Sequence, residues 1–388
     1  MMDKVYIQSL ALHKKYQGKL AVQSKIPVVN YADLSLAYTP GVAAVCTAIA
    51  QDPQKAFSHS LKGNTVAIVS DGSAILGLGN LGASAAIPVM EGKAVLFKTF
   101  ADVDAFPICL DTQNVDEIVE TVKRIAPVFG GINLEDISAP RCFEIEKRLK
   151  RELSIPVMHD DQHGTATVVL AGLINALRLA EKKAQHVRVV INGVGAAGVA
   201  IANLLLLYGF KNLILVDTLG VIYQGRHGLS DIKKLMAQKT NVACLSTPEH
   251  PSCCKGDLRS AIKGADIFIG VSKGNIVDAS MVRSMADNPI LFAMANPAPE
   301  IMPDVAQQAG AFIVATGRSD FPNQANNVLA FPGIFRGALD HNVAQITDQM
   351  LLQAAQNLAA CVQQPSRDMI LPKAFDPSVV HAVARAIR

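Results

Sequence analysis

Val187-Arg188-Val189-Val190-Ile191-Asn192-Gly193-Val194-Gly195-Ala196-Ala197-Gly198 carries a β-branched apolar run straight into a glycine-rich turn. Residues 199–207 continue as an apolar helix, and Leu213-Ile214-Leu215-Val216-Asp217 reads as a second strand. A glycine turn alone can mark nothing more than a tight bend, but a strand before it and a helix after it make a dinucleotide-binding βαβ unit. Gly193 permits the turn, Gly195 lets a pyrophosphate approach the backbone, and Gly198 allows close helix packing. Ala196 and Ala197 open the helix, whose unpaired N–H groups then face the phosphates. Asp217 is placed to bond a ribose 2′-hydroxyl and to repel a 2′-phosphate, which favours NAD over NADP. Arg226, further along, is a cation that a loop could bring round to offset that repulsion.

Working outward, short apolar runs at residues 65–69, 94–97, 107–110, 131–134, 157–159, 267–270, 290–293 and 312–315 read as strands. Residues 114–125 and 141–153 have the periodicity of amphipathic helices. Residues 165–179 are small and apolar nearly all round, which suits a helix buried between two domains. The expected fold is α/β: an N-terminal α/β domain over residues 1–162, then a Rossmann-type, doubly wound parallel sheet over 163–388. A length of 388 residues is enough for two cores.

Composition excludes several classes. The net charge of +3 is small and the charges are interleaved, so nothing points to nucleic acid. The longest apolar runs are too short to cross a bilayer, and the N-terminus lacks the uninterrupted apolar core of a secretory signal. A cytoplasmic protein without a membrane span is the expectation. The 7 cysteines are scattered without a C-x-x-C pair, which argues against a disulfide framework or zinc ribbon.

Two acidic clusters lie ahead of the glycine turn: Asn133-Leu134-Glu135-Asp136 and His159-Asp160-Asp161-Gln162-His163-Gly164-Thr165. Each follows a strand-like run. Either pair alone could be a solvated loop, and Asp136 could cap the next helix. Together, carboxylates gathered at strand ends without an adjacent Lys or Arg would repel one another unless a cation lay among them. Oxygen ligands of this kind suit Mg²⁺ or Mn²⁺. His159 and His163 are expected outside the metal sphere, as supporting partners. A hard cation beside a nicotinamide suits oxidation of a chelated 2-hydroxy acid.

These residues resemble a known family, the malic enzymes. The resemblance is carried by Ser35-Leu-Ala-Tyr-Thr-Pro-Gly-Val42, Val69-Ser-Asp-Gly72 with Ile75-Leu-Gly-Leu-Gly-Asn80, Glu91-Gly-Lys-Ala-Val-Leu-Phe-Lys98, both acidic clusters, and Asn323-Gln-Ala-Asn-Asn-Val-Leu-Ala-Phe-Pro-Gly333. It runs from about residue 10 to the C-terminus and looks like the short bacterial form. It implies that Lys93 is the general base, oriented by Asp160, and that Glu135, Asp136 and Asp161 hold the metal. Tyr38 would protonate the enol, although Tyr38 before Thr39-Pro40-Gly41 also reads as a packed turn residue. Asn296 and Asn327 would hold substrate, with Asn296 also at the nicotinamide; Asn296 before Pro297 is equally an ordinary turn. Larger members carry a carboxylate-binding Arg where this chain has Ala74, so the cation that replaces it is open, with Lys14 and Lys15 as candidates.

The implied reaction is oxidative decarboxylation of (S)-malate to pyruvate and CO₂ with reduction of NAD or NADP, together with oxaloacetate decarboxylation. The resemblance also implies a homodimer or higher homo-oligomer. Two other readings fit parts of the pattern: a metal-dependent oxaloacetate decarboxylase with a structural dinucleotide, and a non-catalytic nucleotide sensor. The latter has no need of a titratable set such as Tyr38, Lys93 and the acidic clusters.

Overall fold

The structure is a computed structural model that describes residues 2–75, 78–246 and 253–388. Leu76 and Gly77 of the quoted Ile75–Asn80 motif lie outside the described residues.

Two sheets organise the chain. The first contains β1 (Thr65–Ser70), β2 (Asp104–Cys109), β3 (Gly131–Leu134) and β4 (Val157–His159), all parallel, in the order β2-β1-β3-β4. Parallel strands covered on both faces read as continuous apolar runs, and Val66, Ala67, Ile68 and Val69 are buried throughout. The second sheet contains β5 (Arg188–Asn192), β6 (Asn212–Asp217), β7 (Gly220–Val221), β8 (Ile267–Gly270), β9 (Ile290–Ala293) and β10 (Ile313–Thr316). Its order, β10-β9-β8-β5-β6-β7, is parallel except for the antiparallel β6/β7 hairpin. The chain runs outward from β5 in one direction and from β8 in the other. The β5/β8 crevice is therefore the switch point at which ligands of such sheets bind.

The helix Asp160–Leu179 joins the sheets and is buried along most of its length, with Val168, Val169, Leu170 and Leu173 fully enclosed. Its first residues are the second acidic cluster, so β4 and the helix start fix where those carboxylates stand. The helix Phe331–Asp340 returns to the first sheet, where Phe331 and Phe335 pack edge-to-face on Phe97 at 4.7 and 5.5 Å between centroids.

Two expectations are corrected. Residues 94–97 are not a strand but part of the long helix Ala83–Ala101. Four apolar residues in a row look alike in a strand and in a buried helix; here Ala86, Met90, Lys93, Ala94 and Phe97 form one buried helical face. The cysteine pattern predicted no disulfide framework; one disulfide is present, between Cys244 and Cys253. The Asn241 side chain brings these segments together, donating to the Ile222 and Cys254 carbonyls at 3.3 and 2.7 Å and accepting from Cys254 N–H.

The stretch Tyr31–Gln51 contains an 18-residue window with a mean hydropathy of 1.3, none of it buried. It is two short helices, Tyr31–Ala37 and Val42–Gln51, broken at Thr39-Pro40-Gly41. Neither is long enough to span a bilayer.

Candidate active site

The two sheets face one another across a cleft of about 690 Å³. Glu135, Asp136, Asp161, Lys93, Asn296 and Asn327 line it, together with Ala197 of the glycine turn and Val271 and Ser272 beyond β8. The cleft thus joins the acidic clusters to the mouth of the β5/β8 crevice.

Lys93 sits at its base. The ammonium donates to Glu135 Oε1 at 2.6 Å and to Asp160 Oδ2, and lies 4.3 Å from the Phe331 ring centroid. Asp160 Oδ2 also accepts from Asn327 Nδ2, so the carboxylate aligns base and amide together. Burial pulls the Lys93 pKa down, but Asp160, Glu135 and Asp161 outweigh it and hold the ammonium charged. Burial pushes the Asp160 carboxyl up to about 8, with Glu135 and Asp161 adding to the shift and Lys93 opposing it. Burial also raises Glu135 and Asp161.

Glu135, Asp136 and Asp161 offer oxygen atoms that all lie within 4.8 Å of one another. A backbone bond from Asp136 N–H to Asp161 Oδ2, at 3.1 Å, ties the two clusters. Asn133 Nδ2 donates to Glu135 Oε2 at 2.9 Å and orients it. Converging, mostly buried carboxylates, of which Glu135 and Asp161 have raised pKa values, fit a hard divalent cation. The histidines pair elsewhere. His163 Nε2 pairs with Glu146 at 2.9 Å, and the same carboxylate accepts from His159 N–H.

At the glycine turn, Gly193 has φ of 108°, and a Cβ on Gly198 would overlap the Gly193 carbonyl oxygen. A Cβ on Gly195 would meet nothing, which leaves space above the turn, and the helix Ala196–Tyr208 has no side-chain cap on its first N–H groups. These features fit a pyrophosphate. The Asp217 side chain is 6% exposed and fully engaged: Oδ1 accepts from Leu219 N–H and Arg226 Nη1, and Oδ2 from Arg226 Nη2 and Lys233 Nζ. Burial alone would raise this carboxyl, but the Arg226 and Lys233 bonds hold it down to about 2.

Tyr38 is the residue that a single chain does not bring to the cleft. It ends the helix Tyr31–Ala37, is 67% exposed, and is not among the residues lining the cleft. Sequence reasoning missed Lys19, Ser272 and Met294 in the cleft wall. It also missed Glu300, which is fully buried and accepts from Ser272 N–H and Ala295 N–H, both at 3.0 Å. Glu300 thereby clamps the two loops that carry Ser272 and Asn296. Lys233 was missed too, because nothing in its local sequence points to Asp217.

Comparison with known proteins agrees with this geometry. Residues 17–150 match the family described as malic enzyme, N-terminal domain, and residues 162–387 the malic enzyme, NAD binding domain. The bifunctional malic/malolactic enzyme of Bacillus subtilis is 55% identical over 383 residues, covering 98% of this chain and 91% of the relative. The NADP-dependent malic enzyme of Rhizobium meliloti is 48% identical over 95% of this chain, which spans 50% of that longer relative. The crystal structure of the NAD-dependent malic enzyme from Thermotoga maritima superposes with a TM-score of 0.92 at 49% identity, covering 97% of this chain and 98% of that one. With both family domains matched in order across nearly its whole length, the chain belongs to the malic enzyme family.

Proposed function

We propose that this chain oxidises (S)-malate and decarboxylates it to pyruvate and CO₂, reducing NAD or NADP, with Mg²⁺ or Mn²⁺ at Glu135, Asp136 and Asp161. The observation that carries this reading is the contact of Lys93 with both Glu135 and Asp160, in the same cleft that Ala197 of the glycine turn lines. Residues 1–162 supply base and metal ligands, and residues 163–388 the dinucleotide site and Asn327.

When bound, the divalent ion supplies Lewis acidity at the substrate oxygen and the nicotinamide accepts a hydride. The chain's own residues handle positions and protons. Lys93 Nζ takes the C2-hydroxyl proton, which requires the free amine. Glu135 would be shared with a bound cation, and the charge it then offers Lys93 would be smaller, which favours the free amine. Asp160 holds the Lys93 nitrogen in place, and Asn327 fixes Asp160 in turn. Asn296 lines the cleft beside Gly317 and is suited to orient substrate and nicotinamide.

Tyr38 protonates the enol, and a second copy of the chain delivers it. The helices Tyr31–Ala37 and Val42–Gln51 are apolar and contain no buried residue in one chain, so they have an uncovered face that a homodimer would cover. NAD is not favoured as strongly as Asp217 alone suggests. Arg226 and Lys233 fill its acceptor sites and leave the three side chains with a net positive charge, which suits a 2′-phosphate.

The test is reduced-nicotinamide absorbance with purified protein, malate, Mn²⁺ and NAD or NADP in parallel, with pyruvate assayed and an EDTA control. Metal-dependent reduction with equal pyruvate is expected. Pyruvate from oxaloacetate without any reduction by malate would replace this reading with a simple decarboxylase.

A further inference from the structure

We propose that Lys19 supplies the positive charge that receives a malate carboxylate in this chain. The proposal rests on the reading that the cleft takes malate, and it names the side chain that selects a dicarboxylate.

Among the described residues lining the cleft, Lys19 and Lys93 are the only cations. Lys93 is committed to Glu135, Asp160 and the Phe331 ring, and cannot also hold substrate charge. Ala74 lines the same cleft and is short and neutral. Lys14 and Lys15, the candidates taken from sequence, do not line it.

Lys19 is held there by the fold. Its Nζ donates to the Pro88 carbonyl oxygen at 2.6 Å, bracing the N-terminal segment against the helix Ala83–Ala101. That bond uses one of three ammonium protons. A Cβ on Gly92 would lie 3.5 Å from Lys19 Nζ, an ordinary contact, so the ammonium rests against this helix one residue from Lys93. Burial lowers the Lys19 pKa, and the Glu91 carboxylate works against that shift.

Charge balance favours such a group. Glu135, Asp136 and Asp161 line the cleft and bring three negative charges when ionised, which Lys93 with a divalent ion would only just balance, and Asp160 stands behind Lys93. Without Lys19 a dianionic substrate would meet no surplus of positive charge there. A charge-assisted hydrogen bond from Lys19 supplies it.

The experiment is malate titration by calorimetry with Mn²⁺ present, beside steady-state kinetics, on wild type, Lys19→Met and Lys19→Arg. Lys19→Met should weaken malate binding about ten- to a hundredfold. KM for NAD should stay within about twofold, and Lys19→Arg should recover most of the malate affinity. Unchanged malate affinity in folded Lys19→Met would overturn the proposal. So would a loss that Arg does not rescue and that is matched by loss of NAD affinity, since Lys19 would then only brace the N-terminal segment. Failure of the wild type to bind malate would instead overturn the malate reading itself.

Discussion

Lys93 Nζ and Glu135 Oε1 are 2.6 Å apart, with the two side chains 7% and 6% exposed, so the residue read as base is ion-paired to a residue read as metal ligand. The ammonium therefore stands in for part of the charge that a bound cation would supply. A cation held by Glu135 would therefore compete with Lys93 for that carboxylate, coupling the cluster to the base. Burying like charges without a counter-ion is costly, and the Lys93 ammonium supplies one.

The first prediction follows from that pairing. Lys93→Ala lowers kcat for malate oxidation by about 10²–10⁴-fold. It also leaves Glu135 and Asp160 without their shared counter-charge, held only by the Asn133 and Asn327 amides, which costs about 3–5 kcal/mol of stability. Mn²⁺ should then raise the melting temperature of Lys93→Ala by more than it raises that of the wild type. Wild-type turnover in the variant would remove Lys93 as base, and equal metal shifts would remove the shared role of the pair.

Much of this was legible in the sequence, for local reasons. The glycine turn declares itself because Gly193 needs a positive φ and Gly198 cannot carry a Cβ, both consequences of a few adjacent residues. Glu135 and Asp161 were legible because parallel strands put their C-terminal residues on one edge of the sheet. Residues 94–97 misled because four apolar residues look alike in a strand and on a buried helix face, and Pro88 is tolerated inside this helix. Lys19, Lys233 and Glu300 were not legible. Each acts at a distance through the fold: Lys19 on Pro88, Lys233 on Asp217, and Glu300 on Ser272.

The second prediction concerns Tyr38. If one copy supplies Tyr38 to the Lys93 of another, Tyr38→Phe and Lys93→Ala chains, each deficient alone, complement when mixed under conditions of subunit exchange. Each mixed dimer then contains one intact site, and random pairing restores about a quarter of wild-type activity. No recovery, with exchange verified by mass, would place Tyr38 and Lys93 in the same chain.

The third prediction concerns cofactor choice. Arg226→Ala and Lys233→Ala should each raise KM for NADP about tenfold more than KM for NAD, because each removes a charged partner for a 2′-phosphate. Arg226→Ala also frees acceptor sites on Asp217 for a ribose hydroxyl, so NAD binding should hold or improve. Equal changes for the two cofactors would show that the cluster only closes the β6/β7 hairpin.

The last prediction is a pH dependence. His159 is fully buried, and burial lowers its pKa from 6.5 to about 4, with Glu146 and Glu135 opposing the shift. The unfolded chain therefore binds a proton between pH 6.5 and about 4 that the folded chain refuses. Stability from this group is fully present above 6.5 and is lost as pH falls toward about 4, by about 3 kcal/mol in all. The raised Asp160 carboxyl has the opposite slope over the same range, since the folded chain then holds the extra proton. The wild-type curve alone therefore mixes the two, whereas the difference between wild type and His159→Gln isolates the histidine. Denaturant unfolding at pH 7 and pH 4 should show the wild type losing about 3 kcal/mol more than His159→Gln on acidification. An identical loss in both proteins would mean that His159 is protonated in the folded state, paired with Glu146 or Asp161.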